Sequence, residues 1–190
     1  MLSSAHRVRS GILLGLGTLL LAGCDDDPFA QEWFENRTQT TVYALDHPDE
    51  VSPTAWDLLP RQGRRIEDPR TEDDWDFAVD VDGGTMYLLP PRALGVSSRV
   101  GIHRVPDVEW DDVREAPADT AAYVTREPVE VGEDDIYVVR TREQTDQFGR
   151  RCIFYAKVQP EEVDTDRLRL RFTFDVNPGC NDRNLVPEEI

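Results

Sequence analysis

The histidines and the acidic side chains are the residues of this chain that could serve in acid–base catalysis or metal binding. Beyond residue 23 there are only His47 and His103, and nothing in their spacing brings them together, as a shared metal ion would require. The chain has no Gly-x-Ser-x-Gly motif, no His-Glu-x-x-His motif and no Gly-rich phosphate loop with a lysine. We therefore predict no catalytic residue, no metal ligand and no cofactor, and we expect His103 at the surface or rim.

Acidic residues occur in clusters at 72–74, 111–112 and 133–135. Two carboxylates about 5–9 Å apart across a cleft could hydrolyse a glycosidic bond. The segment Asp80-Val81-Asp82-Gly83 resembles the start of a calcium loop but lacks the later acidic ligands. Because 38 acidic residues make chance pairs unavoidable, solvated surface acids are the favoured interpretation, and a carboxylate-dependent hydrolase is the alternative.

A row of three arginines lies on the polar face of the last predicted strand: Arg167, Arg169 and Arg171. Pairing with acids on a neighbouring strand would contribute ~0.2–1 kcal/mol for each pair, and this is the favoured interpretation. The alternative is a stripe that binds an anion or a partner protein.

The first residues have the composition of an export signal. Residues 1–10 carry two arginines and no acid, and residues 11–21 form an apolar run too short to span ~30 Å of hydrocarbon. The run ends in Leu21-Ala22-Gly23-Cys24, which resembles the lipobox of bacterial lipoprotein precursors. The resemblance implies that residues 1–23 are a signal peptide that is removed and that Cys24 carries the lipid, with palmitate-type acyl chains.

Residues 24–32 are expected to form a short acidic tether. From Asp25 to Glu32 the chain reaches at most ~26 Å at roughly 3.3 Å per residue. Because several acyl chains hold a protein stably on a bilayer, we expect a cell-envelope protein that is lipid-anchored to a bacterial membrane. It would face the periplasm or the exterior.

With Cys24 lipidated, Cys152 and Cys180 are the two remaining cysteines of an exported chain. An even pair in an oxidising compartment predicts a disulfide. Closing a loop of about 29 residues should stabilise the fold by roughly 3.5 kcal/mol in the chain-entropy model. A redox-active pair is disfavoured, because such pairs usually have Cys-x-x-Cys spacing.

Alternation of apolar and polar residues predicts the strands. In residues 75–82 the aromatic and valine side chains share one face and Asp76, Asp80 and Asp82 share the other. Gly83-Gly84 then predicts a hairpin turn into a strand over 85–89. Residues 136–142, 152–159 and 167–176 predict a C-terminal three-stranded antiparallel meander.

Weaker patterns predict further strands at 40–45 and 99–105. Short helices are expected after Ser52-Pro53 through Leu59 and from Asp107 onward. There is no linker and no internal repeat, so residues 33–190 are predicted to form a single β-rich domain. Its fold class is mainly β, an antiparallel sandwich or open barrel with one or two short helices.

Four strand segments follow an order similar to that in HmuY-type haem-binding lipoproteins: Trp75-Asp76-Phe77-Ala78, Tyr137-Val138-Val139-Arg140, Tyr155-Ala156-Lys157-Val158 and Arg171-Phe172-Thr173-Phe174. The resemblance implies an all-β fold and capture of haem or another small ligand. The histidines that ligate haem in that family have no motif-matched counterpart here.

The charge balance excludes two classes of partner. The net charge is −17, and removal of residues 1–23 would leave 38 acidic against 19 basic side chains. Nucleic-acid binding and electrostatic docking on anionic lipid both need clustered cations. The expected function is a membrane-anchored, non-enzymatic binding or structural module for an envelope protein or a small molecule. The alternatives are a hydrolase of envelope polymers and a haem or small-ligand capture protein.

Overall fold

The structure is a computed structural model that describes residue 33 and residues 37–71, 73–146 and 148–187. These residues belong to one compact unit. The predicted signal peptide (residues 1–23), the predicted lipidation site Cys24 and the predicted tether (residues 24–32) lie outside the described residues. Within the described ranges, no helix has the length and apolar character needed to cross a membrane.

Two five-stranded antiparallel sheets make up the body of the described residues. The first sheet has the order β1-β12-β11-β8-β6, the second has the order β3-β2-β4-β5-β7, and β9 pairs with β10. The strands are β1 (Thr38–Tyr43), β2 (Ala55–Asp57), β3 (Gln62–Arg64), β4 (Phe77–Asp82), β5 (Thr85–Leu89), β6 (Gly101–Val105), β7 (Val129–Glu130), β8 (Ile136–Arg140), β9 (Gln144–Thr145), β10 (Arg151–Cys152), β11 (Tyr155–Asp164) and β12 (Arg169–Asn177).

The apolar faces of the two sheets pack against each other, as in a β sandwich. Trp56 and Phe77 of the second sheet share one buried cluster with Phe172 and Phe174 of the first sheet. The sheets do not close into a barrel among the described residues. The predicted fold class is therefore confirmed in its sandwich form.

The predicted C-terminal meander is confirmed. Strand β11 pairs antiparallel with both β8 and β12, so that Tyr155 lies opposite Arg140 on one side and Asn177 on the other. The alternation predicted for the last strand places its apolar side chains inward, where Leu170, Phe172 and Phe174 have no exposed surface.

The predicted hairpin between β4 and β5 is also confirmed. Asp82 pairs with Thr85 across a two-residue turn, in which Gly83 and Gly84 have φ values of 58° and 83°. A side chain strains this left-handed backbone, and glycine adopts it freely, so the Gly-Gly pair determines where the chain reverses.

The first predicted helix is wrong. Residues 55–57 form strand β2, which pairs with β3 and β4, and all three side chains are buried. A strand buried on both faces shows no alternation, so its sequence gave no period-two signal.

The second predicted helix, from Asp107 onward, is replaced by a shorter 3₁₀ turn. That turn covers Trp110–Asp112, and Asp107 lies before it with φ at 52°. The described residues contain two further 3₁₀ turns, at Pro91–Leu94 and Thr120–Ala122.

The outer face of the first sheet is covered as well. Trp110, Tyr123 and Leu185 pack with Ile136 and Val138 of β8 in a second buried cluster. Because Tyr137 and Val139 belong to the inner core, β8 is buried on both faces.

Candidate functional site

A cleft lined by three arginines is the candidate site among the described residues. It has a volume of about 460 Å³ and lies between the segment that follows β5 and the segment that follows β8. Its lining consists of Asp73, Arg92, Val96, Ser97, Ser98, Arg99, Arg142 and Glu143. We call it the arginine cleft.

The first wall of the arginine cleft is held by hydrogen bonds to backbone carbonyls. Pro91–Leu94 forms a 3₁₀ turn that ends at Gly95 with φ at 84°, and the N–H of Val96 donates to the carbonyl of Pro91 at 3.0 Å. At the far end, the Arg99 carbonyl accepts two bonds from the Arg140 guanidinium, at 3.1 and 2.8 Å. The loop that carries Arg92 and Arg99 is therefore fixed at both ends.

The second wall is held by two buried carboxylates. The Arg142 guanidinium donates through Nη1 to Asp57 Oδ1 at 2.6 Å and through Nη2 to Asp57 Oδ2 at 3.1 Å. The backbone N–H of Arg142 donates to Asp76 Oδ1 at 2.9 Å. Both the side chain and the backbone of Arg142 are therefore positioned by the second sheet, although Arg142 follows a strand of the first.

The two carboxylates have a full set of partners. Asp57 and Asp76 expose no surface, and Asp57 Oδ2 also accepts from Arg64 Nη2 at 2.9 Å. The second oxygen of Asp76 accepts from the backbone N–H of Leu58 at 2.9 Å. Since burying a charge is costly unless it is paired and hydrogen-bonded, this set of donors explains how the two acids can stand side by side.

Burial and charge act on these groups in opposite directions. Burial raises the pKa of Asp76 to about 6, the charge of Arg142 opposes that rise, and the charge of Asp57 adds to it. Burial works to lower the pKa of Arg142, but its hydrogen bond with Asp57 and the charge of Asp76 outweigh burial and raise that pKa.

Asp57 and Asp76 meet one condition for a carboxylate hydrolase, because they are neighbours and the pKa of Asp76 is raised. However, neither residue lines the arginine cleft, and all four of their oxygens accept hydrogen bonds from the protein. In this arrangement they position Arg142 and do not face a substrate.

The charges around the cleft are only partly compensated. Glu143 pairs with Arg99 at 3.2 Å and with Arg151 at 3.1 Å. Arg92 has no carboxylate oxygen within ion-pair distance among the described residues. Among the described residues, no hydrogen bond or ion pair occupies the guanidinium donors of the half-buried Arg92.

Arg169 and Arg171 of the predicted row pair with acids of β11, as the cross-strand interpretation requires, whereas Arg167 lies in the turn before β12 and pairs with an acid three residues earlier. Arg167 lies 3.2 Å from Asp164, Arg171 lies 3.2 Å from Glu162, and Arg169 contacts both of these acids. Arg167 and Arg169 also line a separate cleft of about 390 Å³ beside Tyr43 and His47. The binding stripe stays a prediction.

The predicted disulfide is present. Cys152 and Cys180 are bonded, with their Cα atoms 4.9 Å apart. Among the described residues, Asp146 and these two cysteines form a group close enough to hold a metal ion, but both sulfurs are committed to the bond.

The two histidines lie at opposite edges of the first sheet. His47 follows edge strand β1 and His103 lies on the opposite edge strand β6, so four strand spacings, about 19 Å, separate the two strands. His103 is half-buried and its Nδ1 lies 3.0 Å from the Ala122 carbonyl, as expected for a rim residue. This placement does not bring the two rings to one haem.

The predicted acidic face of β4 is only partly solvated. Asp80 and Asp82 lie at an open cleft of about 620 Å³ together with Asp46 and Glu127. Burial raises the pKa of Asp80, and the charges of Asp46 and Asp82 add to the rise. Asp76 is fully buried, because the segment at Arg142 covers it.

Sequence reasoning named Asp73 and Asp76 only as acids of surface clusters or faces, and it missed the arginines of the cleft and the buried Asp57. One local signal was available, since Asp57 stands in the apolar run Trp56-Asp57-Leu58-Leu59 and an acid there needs a buried partner. Nothing local pointed to Arg92 or Arg142. No protein-family model matches the chain, and no curated protein is similar to it at a significant level.

Proposed function

We propose that this protein is a bacterial envelope lipoprotein, held on its membrane by a lipid on Cys24 and acting there as a non-enzymatic binding or structural module. The observation that carries the proposal is the division of its three cysteines. Cys152 and Cys180 are joined in a disulfide, which leaves Cys24 alone at the end of the lipobox-like sequence.

Two general arguments support this proposal. Disulfides form and persist in oxidising compartments, so the bond is in keeping with export from the cytoplasm. A single acyl chain binds membranes only marginally, whereas several chains hold a protein stably. A lipid on Cys24 would therefore anchor the chain without a membrane-spanning segment.

The ionisable groups favour binding over catalysis. The buried acids Asp57 and Asp76 are occupied by protein donors, and Lys157, the only lysine, donates to the Trp110 carbonyl at 2.9 Å. The arginine cleft is open to solvent and has fixed walls, which suits a ligand that binds and leaves unchanged.

The test is metabolic labelling of the full-length protein with an alkyne analogue of palmitate, followed by membrane fractionation. The wild-type chain should take up the label and sediment with membranes, and Cys24→Ser should lose both properties. A double variant, Cys152→Ser with Cys180→Ser, is the matched control and should keep the label.

The outcome that contradicts the proposal is also defined. Labelling and membrane attachment that persist in Cys24→Ser would place the anchor elsewhere. A wild-type chain that takes up no label in a strain with active lipoprotein processing would refute the lipid anchor.

A further inference from the structure

We propose that the arginine cleft binds the carboxylate or phosphate group of a small organic anion, and that Arg92 and Arg99 contact this group. The inference names the ligand class for the proposed binding function and rests on it. Arg142 lines the cleft but is not assigned a ligand contact, because Asp57 already occupies its guanidinium.

The first argument is electrostatic. The chain carries a net charge of −17, so its surface repels small anions in most places. Because the Arg142 charge is neutralised by Asp57, the cleft itself holds Arg92 and Arg99 against Asp73 and Glu143, and Glu143 is shared with Arg151 outside it. An anion is therefore favoured there relative to the rest of the surface.

The second argument concerns the donors. A guanidinium presents a planar fork of N–H groups that matches a carboxylate or a phosphate in two parallel bonds. Arg92 has no ion pair among the described residues, and the side chain of Arg99 is 70% exposed. Glu143 holds Arg99 through Nη1 alone, so other donors of that guanidinium are left for a ligand.

The third argument is preorganisation. The loop of Arg92 and Arg99 is fixed by the Val96–Pro91 bond and by Arg140, and the opposite wall is fixed by Asp57 and Asp76. A site that is already ordered loses less conformational entropy when its ligand binds.

The cleft also restricts the remainder of the ligand. Its volume of about 460 Å³ lies within the usual range for small-molecule sites, about 300–1,000 Å³. Ser98 accepts from the Val100 N–H at 3.2 Å and keeps its own hydrogen to donate, while Asp73 offers acceptor oxygens. A ligand with hydroxyl groups beside its anionic group can use both.

The test uses the purified, lipidated protein in neutral detergent and titration calorimetry at low salt. The probes are glycerol 3-phosphate, glycerate and glycerol, which share a three-carbon skeleton and differ in the anionic group. At least one of the two anions should bind saturably, and neutral glycerol should not. The preference between the anions distinguishes a phosphate source from a carboxylate source.

Three variants link binding to the cleft. Arg92→Ala and Arg99→Ala should each weaken binding by about tenfold or more, as for the loss of a charge-assisted hydrogen bond. Arg92→Lys keeps the charge and loses the fork, so its effect should be smaller. Arg126→Ala removes an exposed arginine outside the cleft and should bind as the wild type does.

Two results would overturn the inference. One is the absence of saturable binding of either anion at millimolar concentration. The other is equal affinity for the wild type, Arg92→Ala and Arg99→Ala while circular dichroism shows all three folded. Neither result bears on the Cys24 labelling experiment, so failure of this inference is separable from failure of the proposed anchor.

Discussion

Two buried clusters join the same pair of sheets by different physical means. The aromatic cluster, made of Trp56, Phe77, Phe172 and Phe174, brings rings from both sheets to centroid distances of 5.5–5.7 Å. The ionic cluster, made of Asp57, Asp76, Arg64 and Arg142, joins the sheets through charged hydrogen bonds. Trp56 and Asp57 are adjacent on β2, so one short strand supplies both clusters.

The difference concerns what each cluster contributes. Burial of aromatic surface is favourable, roughly proportional to area and largely indifferent to pH. A buried ion pair gains little net stability, because desolvation offsets the attraction, but it requires a defined geometry. We infer that the aromatic cluster supplies stability and that the ionic cluster sets the position of Arg142 at the arginine cleft.

The largest effect is expected from the aromatic cluster. Phe172→Ala should lower the free energy of unfolding by about 4 kcal/mol, because Phe172 contacts the three other rings and leaves a cavity between the sheets. Urea denaturation of the disulfide-bonded protein measures this free energy. Phe148→Ala, at a ring that is 56% exposed, should change the value by less than about 1 kcal/mol. Similar losses in both variants would contradict the assignment.

The next effect comes from breaking the ionic cluster. Asp57→Ala should cost about 3 kcal/mol, because the buried Arg142 loses both of its carboxylate hydrogen bonds and Arg64 loses its partner. The double variant Asp57→Leu with Arg142→Met removes one buried charge of each sign and should recover part of that loss, but Arg64 then lacks Asp57 and the buried Asp76 lacks its cation. If the double variant were as unstable as Asp57→Ala, the loss would reflect packing and the comparison would break down.

The pH dependence should separate the two clusters. The pKa of Asp76 is raised from 3.8 to about 6, so the folded state holds its proton more tightly than the unfolded state does. The stability from this proton is complete below pH 3.8 and is lost as the pH rises through 6, a change of roughly 2–3 kcal/mol. Asp76→Asn should flatten this part of the curve, and Phe172→Ala should keep it.

This prediction is checked by urea denaturation at intervals between pH 4 and pH 7. If the free energy of unfolding of Asp76→Asn fell with pH as steeply as that of the wild type, the titrating group would be another residue. If Asp76 instead made the wild type more stable as the pH rises, the pKa of Asp76 in the folded state would be lowered.

The smallest effect is expected from Arg64. Its side chain is 22% exposed, and Asp57 keeps both bonds from Arg142 when Arg64 is truncated. Arg64→Ala should therefore cost about 1 kcal/mol, measured by the same denaturation. Arg70→Ala, at a side chain that is 88% exposed, should change stability by close to zero. A loss in Arg64→Ala as large as that in Asp57→Ala would place the centre of the ionic cluster at Arg64.

The parts of the fold that could be predicted are those with local signals. The β4–β5 hairpin follows from alternation and from Gly83-Gly84, and the meander follows from three strands close in sequence. Strand β2 was missed because all of its residues are buried and its partners come from elsewhere in the chain. Its identity depends on tertiary burial, which no three-residue pattern contains.

The candidate site was missed for a related reason. Arg142 meets Asp57 across 85 positions and Asp76 across 66 positions, so no spacing along the chain signals the contact. Asp76 was predicted to share a polar face with Asp80 and Asp82, but it lies just before β4 and is covered by the segment at Arg142, whereas Asp80 and Asp82 lie at an open cleft. Alternation shows which side chains share a face and does not show what lies against it.

By itself, the sequence determined the strands that alternate, the turn at Gly83-Gly84 and the pairing of Cys152 with Cys180, and its net charge predicts that polyanionic partners do not bind. These follow from local backbone preferences, from counting and from net charge. Only the tertiary structure decided which acids are buried and which arginines converge. The physical reason is that the cost of burying a charge depends on partners that approach in space, and the arginine cleft exists only where distant segments meet.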